Sequence, residues 1–406
     1  MKNLPNELTD NIFSFLSSKE SLSSCSLVCS SWTDLAHRHI FHKIVYPRDQ
    51  RSVPDFSALL LFLRGAPSVA QHVRILNLSW GKNKPLSILG PDVFAGLLGT
   101  LPNLDHVEMS YMMLSYEIEN GEHKSRGEGW FWDGDIEPES NAVVESGRCL
   151  KSLKLECVEV GGSNPYFTLF QFLRTIKSLH TLQVSQLTNP APKKSIASIR
   201  EFCSSLGLPS HLGIQKYICQ SPGSGNHLAV VVFLETLRRA PPCTLRHLDL
   251  FQLIGTNQKD TMHYLKAFLN DVGTGLETLS ISLNGSDTEG ESLDLSSCKS
   301  LQSLTFDHDN AIQNNSISVS TSVMLDILAT TPHIPFKLTL SFGNSSGVPG
   351  PTAYARALRG TNWNKLGEIV SSHPCKENQV TVVLGLRVTK NAGGVIFLEV
   401  TLDAKA

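Results

Sequence analysis

The sequence predicts an α/β protein: a three-helix domain over residues 1–45, then an irregular α/β solenoid over residues 46–406 with parallel strands on its concave face. Three observations carry this expectation. Residues 4–45 hold three closely spaced amphipathic segments, a six-residue apolar pattern recurs along the rest of the chain, and helical stretches fall between its copies.

In the first segment Pro5 stands in an opening turn, where a missing amide proton costs nothing. Leu8, Ile12, Phe15 and Leu16 then share one face at helical spacing. Ser18 can cap a second helix, with Glu20 at its positive dipole end and Leu22, Cys25, Val28, Cys29 and Trp32 along its apolar side. A third helix is expected from near Ser31, carrying Leu35 and Ala36. Below about 40 residues a chain cannot enclose a core of its own, so part of this apolar surface must meet a partner. The Leu-Pro opening, Leu22, the Cys-Ser-Leu-Val-Cys run and Trp32 resemble an F-box. The resemblance implies docking on the Skp adaptor of Skp, cullin and F-box ubiquitin ligases, and through it association with the cullin. The matching positions are Leu4, Pro5, Leu8, Ile12, Phe13, Leu16, Leu27, Val28, Cys29 and Trp32.

The six-residue pattern Leu-x-x-Leu-x-Leu begins at Leu150, Leu179, Leu245, Leu276 and Leu301, with weaker copies at Val73 and Leu104. Phe336, Leu338 and Leu340 suggest a further strand. Amphipathic stretches at Leu59–Leu63, Val93–Leu98, Phe167–Leu173, Leu228–Leu237 and Tyr264–Phe268 intervene. Helix then strand, repeated, resembles the leucine-rich-repeat-like domains that often follow an F-box. The repeats are degenerate: from Leu179 to Leu245 is 66 residues, against about 20 to 29 in regular repeats. The asparagine usual three places after the last leucine is matched only by Asn284; Met112, Val158, Leu187 and Leu253 take its place elsewhere.

Two long intervals read as insertions. Residues 117–147 form an acidic, glycine-containing stretch with Trp130, Phe131 and Trp132 as exposed anchors for a basic target or as a plain surface loop. Residues 186–226 are rich in loop signals, with one helical stretch from Ser195 to Leu206. Val380–Val388 and Val395–Leu402 flank Asn391, Gly393 and Gly394 and predict a C-terminal hairpin over 380–402.

Side chains alternate along a strand, so the residues between the leucines should form the open face of the solenoid. Asn77, His106, Glu108, Lys154, Glu156, Gln183, Asp249, Phe251, Ser280 and Thr305 are the candidate substrate-binding residues.

Composition narrows the partners. A formal net charge of -2 provides no basic field for nucleic acid. No apolar run is long enough to span a bilayer, and Lys2, Glu7, Asp10, Lys19 and Glu20 break up the first 20 residues, so neither a membrane nor a secretory route is expected. Nine scattered cysteines suit a reducing cytoplasm and/or nucleus. Three motifs invite other chemistry. Gly343-Asn344-Ser345-Ser346-Gly347 has the Gly-x-Ser-x-Gly form of a nucleophile elbow, with Glu368 and His373 downstream, but Pro349 and Pro351 interrupt the helix that a serine hydrolase needs. Cys25 and Cys29 fall one turn apart in the predicted helix rather than in a metal-binding knuckle, which points to packing and not to zinc. Gly273-Thr274-Gly275 lacks the lysine of a phosphate loop.

The expectation is therefore a non-enzymatic adaptor without cofactor or metal: an F-box that docks on the Skp adaptor and a solenoid that binds a protein substrate. A scaffold of the same architecture outside any ligase is the alternative, and a hydrolase around Ser345 a weaker one.

Overall fold

The computed structural model describes residues 4–16, 18–47, 55–80, 87–115, 148–161, 165–187, 212–220, 227–239, 244–250, 258–282, 293–307, 317–331, 337–344, 359–372, 379–389 and 395–405. The architecture is mixed α/β, with a large parallel sheet, and the chain packs as two units that divide at His180.

The first unit opens with helices α1 (Asn6–Ser14), α2 (Lys19–Ser26) and α3 (Ser30–Ile40). Phe13, Leu22, Leu35 and Ala36 form their common core, with Leu16, Cys25, Trp32 and Ile40 packed around it. The Phe13 ring meets Trp32 edge-on at 5.4 Å, and Asp10 bonds His39 at 2.9 Å, joining α1 to α3. The Ser18 side chain caps α2 as expected, accepting from the Ser21 amide.

The second helix is shorter than expected. Leu27 and Val28 donate their amides only three residues back, to Ser24 and Cys25, which closes α2 at Ser26. The Thr33 hydroxyl then takes the freed Ser26 carbonyl at 2.7 Å. Cys29 is extended at φ -162 and starts α3, so Cys25 and Cys29 belong to different elements. Leu27 and Val28 lie in the bend between helices, a position that periodicity alone assigns to a helix face.

After α3 the chain enters the sheet at once. β1 (Lys43–Tyr46), β2 (Ile75–Ser79), β4 (His106–Ser110) and β6 (Arg148–Glu156) pair in parallel in that order. β1 was not expected; its four residues span the domain boundary expected at 45 and pair with Ile75–Leu78. Between them run α4 (Phe56–Gly65), capped by Asp55, the short α5 (Pro67–Ala70) and α6 (Pro91–Thr100), followed by α7 (Pro165–Arg174). α6 crosses α4 closely because Gly96 carries no side chain: a Cβ there would lie 2.7 Å from the Leu60 methyl.

Burial alternates along β2 and β4 as the leucine spacing demands, Leu76, Leu78, Val107 and Met109 being buried between half-buried neighbours. A backbone device repeats with the strands. The His42 carbonyl accepts the amides of Arg74 and Ile75, that of Arg74 those of Asp105 and His106, and that of Asp105 those of Lys151 and Ser152. One carbonyl thus anchors each successive strand. A second sheet is three-stranded and parallel, formed by β3 (Ser87–Leu89), β5 (Met112–Leu114) and β7 (Glu159–Val160). Met112 and Val158, the apolar substitutes for asparagine, are buried. The chain turns into this sheet through left-handed residues, Tyr111 at φ 55 and Cys157 at φ 50.

In the second unit the strand order is β8 (Ile176–Ser185), β9 (Lys216–Gln220), β10 (His247–Leu250), β11 (Thr278–Ser282), β12 (Ser303–Asp307), β13 (Lys337–Asn344), β14 (Gln379–Thr389) and β15 (Val395–Lys405). All neighbours are parallel except β14 and β15, which pair antiparallel as the hairpin pattern predicts. Helices α8 (His227–Arg239), α9 (Gln258–Val272), α10 (Ile317–Ala329) and α11 (Trp363–Ser372) lie between strands. β9 corrects the sequence reading, since part of the supposed insertion at 186–226 is a strand. The spacing of its Ile214-x-x-Tyr217-x-Cys219 matches the Leu-x-x-Leu-x-Leu pattern, with tyrosine and cysteine in two leucine positions, all three buried. Tyr217 stacks on Phe233 of α8 at 5.3 Å. The carbonyl anchor recurs here, from Gln215 to Arg246 and His247, and from Arg246 to Glu277 and Thr278. α8 and α9 are joined by a charge network in which the buried Glu235 accepts from Arg238 and Arg239, and Arg238 reaches Asp271 at 2.9 Å. The stretch 117–147, the helix expected at Ser195–Leu206 and the residues Leu253, Asn284 and Phe251 lie outside the described residues.

Candidate functional site

The N-terminal helices leave several large apolar side chains exposed. Leu4, Leu8 and Ile12 are about half exposed, Phe15 is 86% exposed and Leu27 85%, with Val28 beside it. Isolated exposed leucines are ordinary on a protein surface, but six large exposed apolar side chains within 25 residues are a local concentration that stands apart.

The ten positions expected to dock divide into three groups. Leu4, Pro5, Leu8, Ile12, Leu27, Val28 and Cys29 are exposed. Leu16 and Trp32 are half-buried, each with one side on the helical core. Phe13, 2% exposed, belongs to that core, so it shapes the docking surface without reaching it. Phe15 is exposed, though outside the expected set; its place three residues after Ile12 on the same helical face is the signal that identifies it. Cys29 borders this surface. Its contact with the Ser31 hydroxyl at 3.1 Å holds the thiol below its ordinary pKa against the opposing effect of desolvation, and the Trp32 and Ser31 amides add to the lowering.

The polar candidates fall on the strands as alternation requires. In the first unit Asn77, Glu108 and Lys154 occupy adjacent register positions on β2, β4 and β6. Asn77 donates to Glu108 at 2.8 Å, and Lys154 donates to Glu108 at 2.9 Å while meeting Glu156 at 2.7 Å. Desolvation alone would make Lys154 less basic, yet its bonds to Glu156 and Glu108 prevail and hold it above the ordinary lysine value. His106 bonds Ser152 at 2.7 Å. At the starts of the same strands Asp105 accepts from both Arg74 and Lys151 at 3.1 Å. Burial opposes its ionisation, but these two cations keep its carboxyl below the usual range.

In the second unit Gln183 and Asp249 are half-buried and Thr305 remains half-exposed. Ser280 and its neighbours Ser282 and Asp307 are buried, Asp307 completely. The candidate positions are thus accessible on β2, β4 and β6, buried on β11, and on β12 buried only at Asp307. Ser345 and His373 lie outside the described residues, while Gly343 and Asn344 continue β13 in register with Arg387 and Val388 of β14.

Among the described residues no helix is long and apolar enough to cross a membrane. Residues 1–47 match the family model described as F-box-like. The N-terminal three helices therefore constitute an F-box-like domain, and β1 falls within the matched segment. No curated protein matches the chain significantly.

Proposed function

We propose that this protein is the substrate-recognition subunit of a Skp, cullin and F-box ubiquitin ligase. The observation that carries the reading is the exposed apolar surface of the F-box-like domain, Leu8, Ile12, Phe15, Leu27 and Val28. Such domains generally dock on a Skp adaptor, which in turn binds the cullin. Burying this surface removes apolar area from water at roughly 25 cal/mol per Å² before the costs of association.

The remainder of the chain is a degenerate leucine-rich-repeat-like solenoid whose parallel strands present polar side chains to a protein substrate. Repetition supports this reading: strand follows strand in parallel register, and the same carbonyl anchor recurs in both units. The subunit acts by proximity, holding its target near a ubiquitin-charged partner, and performs no chemistry itself.

Capture of the full-length chain by purified Skp adaptor tests the proposal, with wild type against Ile12→Asp and Val28→Asp. The expected result is retention of the wild type and loss of both variants. Equal capture of all three would refute adaptor docking through this surface. Point variants are preferable to deletion of residues 1–45, because that deletion also removes most of β1.

A further inference from the structure

Helix α3 of the F-box-like domain meets the turn between α5 and β2, and the contact is built from groups that titrate near neutral pH. His72, on that turn, has only 9% of its side chain exposed. It is faced from α3 by the Asp34 carboxylate, 3.4 Å from Nε2, by the His37 ring at 6.5 Å and by the Arg38 guanidinium. From its own turn the Gln71 side-chain amide lies 3.4 Å from the same nitrogen. Arg38 also meets Asp34 at 3.6 Å, one turn away along α3. With both imidazoles neutral, Arg38 and Asp34 balance each other. With both protonated, three cations crowd one carboxylate, and because that carboxylate is 62% exposed, water weakens its pull. Burial adds to the penalty, since a charged imidazole at His72 gives up most of its hydration.

We infer that His72, with His37, Asp34 and Arg38, forms a pH-sensitive latch between the F-box-like helices and the sheet of the first unit, closed while the imidazoles are neutral and opened by their protonation. The backbone link beside it does not titrate. The His42 carbonyl holds the Arg74 and Ile75 amides at either pH, and β1 stays paired with β2. Opening therefore loosens α3 and the turn at 71–73 while the strands remain folded, a local transition and not a global one. The direction follows from burial. In the open form His72 stands in water and takes up its proton near the ordinary value of 6.5, whereas the closed form takes it up only at a lower pH. Closure is thus fully favoured above about pH 6.5 and is lost as pH falls through the closed-state value.

Amide hydrogen exchange of the full-length protein, read by mass spectrometry from pH 7.5 to 5.5 and corrected for the pH dependence of intrinsic exchange, tests the latch. Protection in segments 30–42 and 67–73 should fall about tenfold or more over this range, while β4 and β6 keep theirs. His72→Gln retains an amide in place of the ring but cannot take up the proton, so it should remove most of the fall. His72→Lys carries its charge throughout the range and should show the low protection already at pH 7.5. Undiminished protection of β4 and β6 in each variant shows that the sheet is folded, so a misfolded chain cannot imitate the result. The inference is overturned by a wild type whose two segments stay protected down to pH 5.5, or by a loss of protection that extends equally through β4 and β6. It is equally overturned if His72→Gln keeps the full fall, or if His72→Lys is as protected as wild type at pH 7.5.

Discussion

The F-box-like helices and the strands of the first unit handle apolar side chains in opposite ways. The helices leave Leu8, Ile12, Phe15, Leu27 and Val28 in water around a core of four buried residues. The strands β2, β4 and β6 bury Leu76, Leu78, Val107, Met109, Leu153 and Leu155 and expose polar side chains already bonded to one another. A three-helix segment has too little interior for its apolar residues, whereas a sheet extended strand by strand buries each leucine against its neighbours. The difference leaves an exposed apolar surface on the helices and a surface of mutually bonded polar groups on the strands.

Neighbouring residues on α1 give the strongest test of this contrast. Phe13→Ala removes a ring from the helical core and should cost about 3 to 5 kcal/mol, seen as a lowered midpoint in chemical denaturation of the first unit. Ile12→Ala, one residue away and half exposed, should shift that midpoint by less than about 1 kcal/mol. Equal costs would mean that the helices bury both faces. In binding, the order reverses among folded variants: Ile12→Asp should weaken adaptor capture about 30-fold or more, as for a central apolar contact.

A smaller effect is expected where the helices meet the strands. His72 sits 3.4 Å from Asp34 of α3, and His42 accepts the weight of the first strand link through its carbonyl. Burial holds both imidazoles below the ordinary value of 6.5; Asp34 opposes this at His72, and Arg74 reinforces it at His42. The unfolded chain therefore takes up these protons first as pH falls, so stability present above about pH 6.5 is lost as pH drops through the lower folded values. Thermal midpoints measured from pH 7.5 to 5.5 should fall, and His72→Gln should flatten the fall. The smallest effect should come from Arg246→Gln, which breaks an exposed ion pair with Glu277 and should cost no more than about 0.5 kcal/mol in the denaturation midpoint.

Which candidate positions lie at the surface was partly legible because the signals are local. Helical spacing in α1 identified Leu8 and Ile12, and strand alternation identified Asn77, Glu108 and Lys154. Phe13 was misplaced because a helical face read from spacing does not say which of two adjacent residues points to the neighbouring helices. β9 was hidden because tyrosine and cysteine replaced leucines, and β1 because four residues are too short for a period to show. The bend at Leu27 and Val28 depends on the Thr33 hydroxyl, seven residues beyond the carbonyl it binds.

The sequence by itself determined the mixed α/β class, the three N-terminal helices and the alternation of buried leucines with polar residues, since each follows from side chains within a few residues of one another. Only the tertiary structure decided which polar residues face water. Ser280 and Asp307 have the same strand periodicity as Asn77 and Lys154, yet they are buried while the latter stay accessible. Burial depends on what packs across a strand from distant parts of the chain, and a local period carries no information about that. The ion pairs of Asp105 with Arg74 and Lys151 likewise arise only when residues 31 and 46 positions apart are brought side by side by parallel pairing.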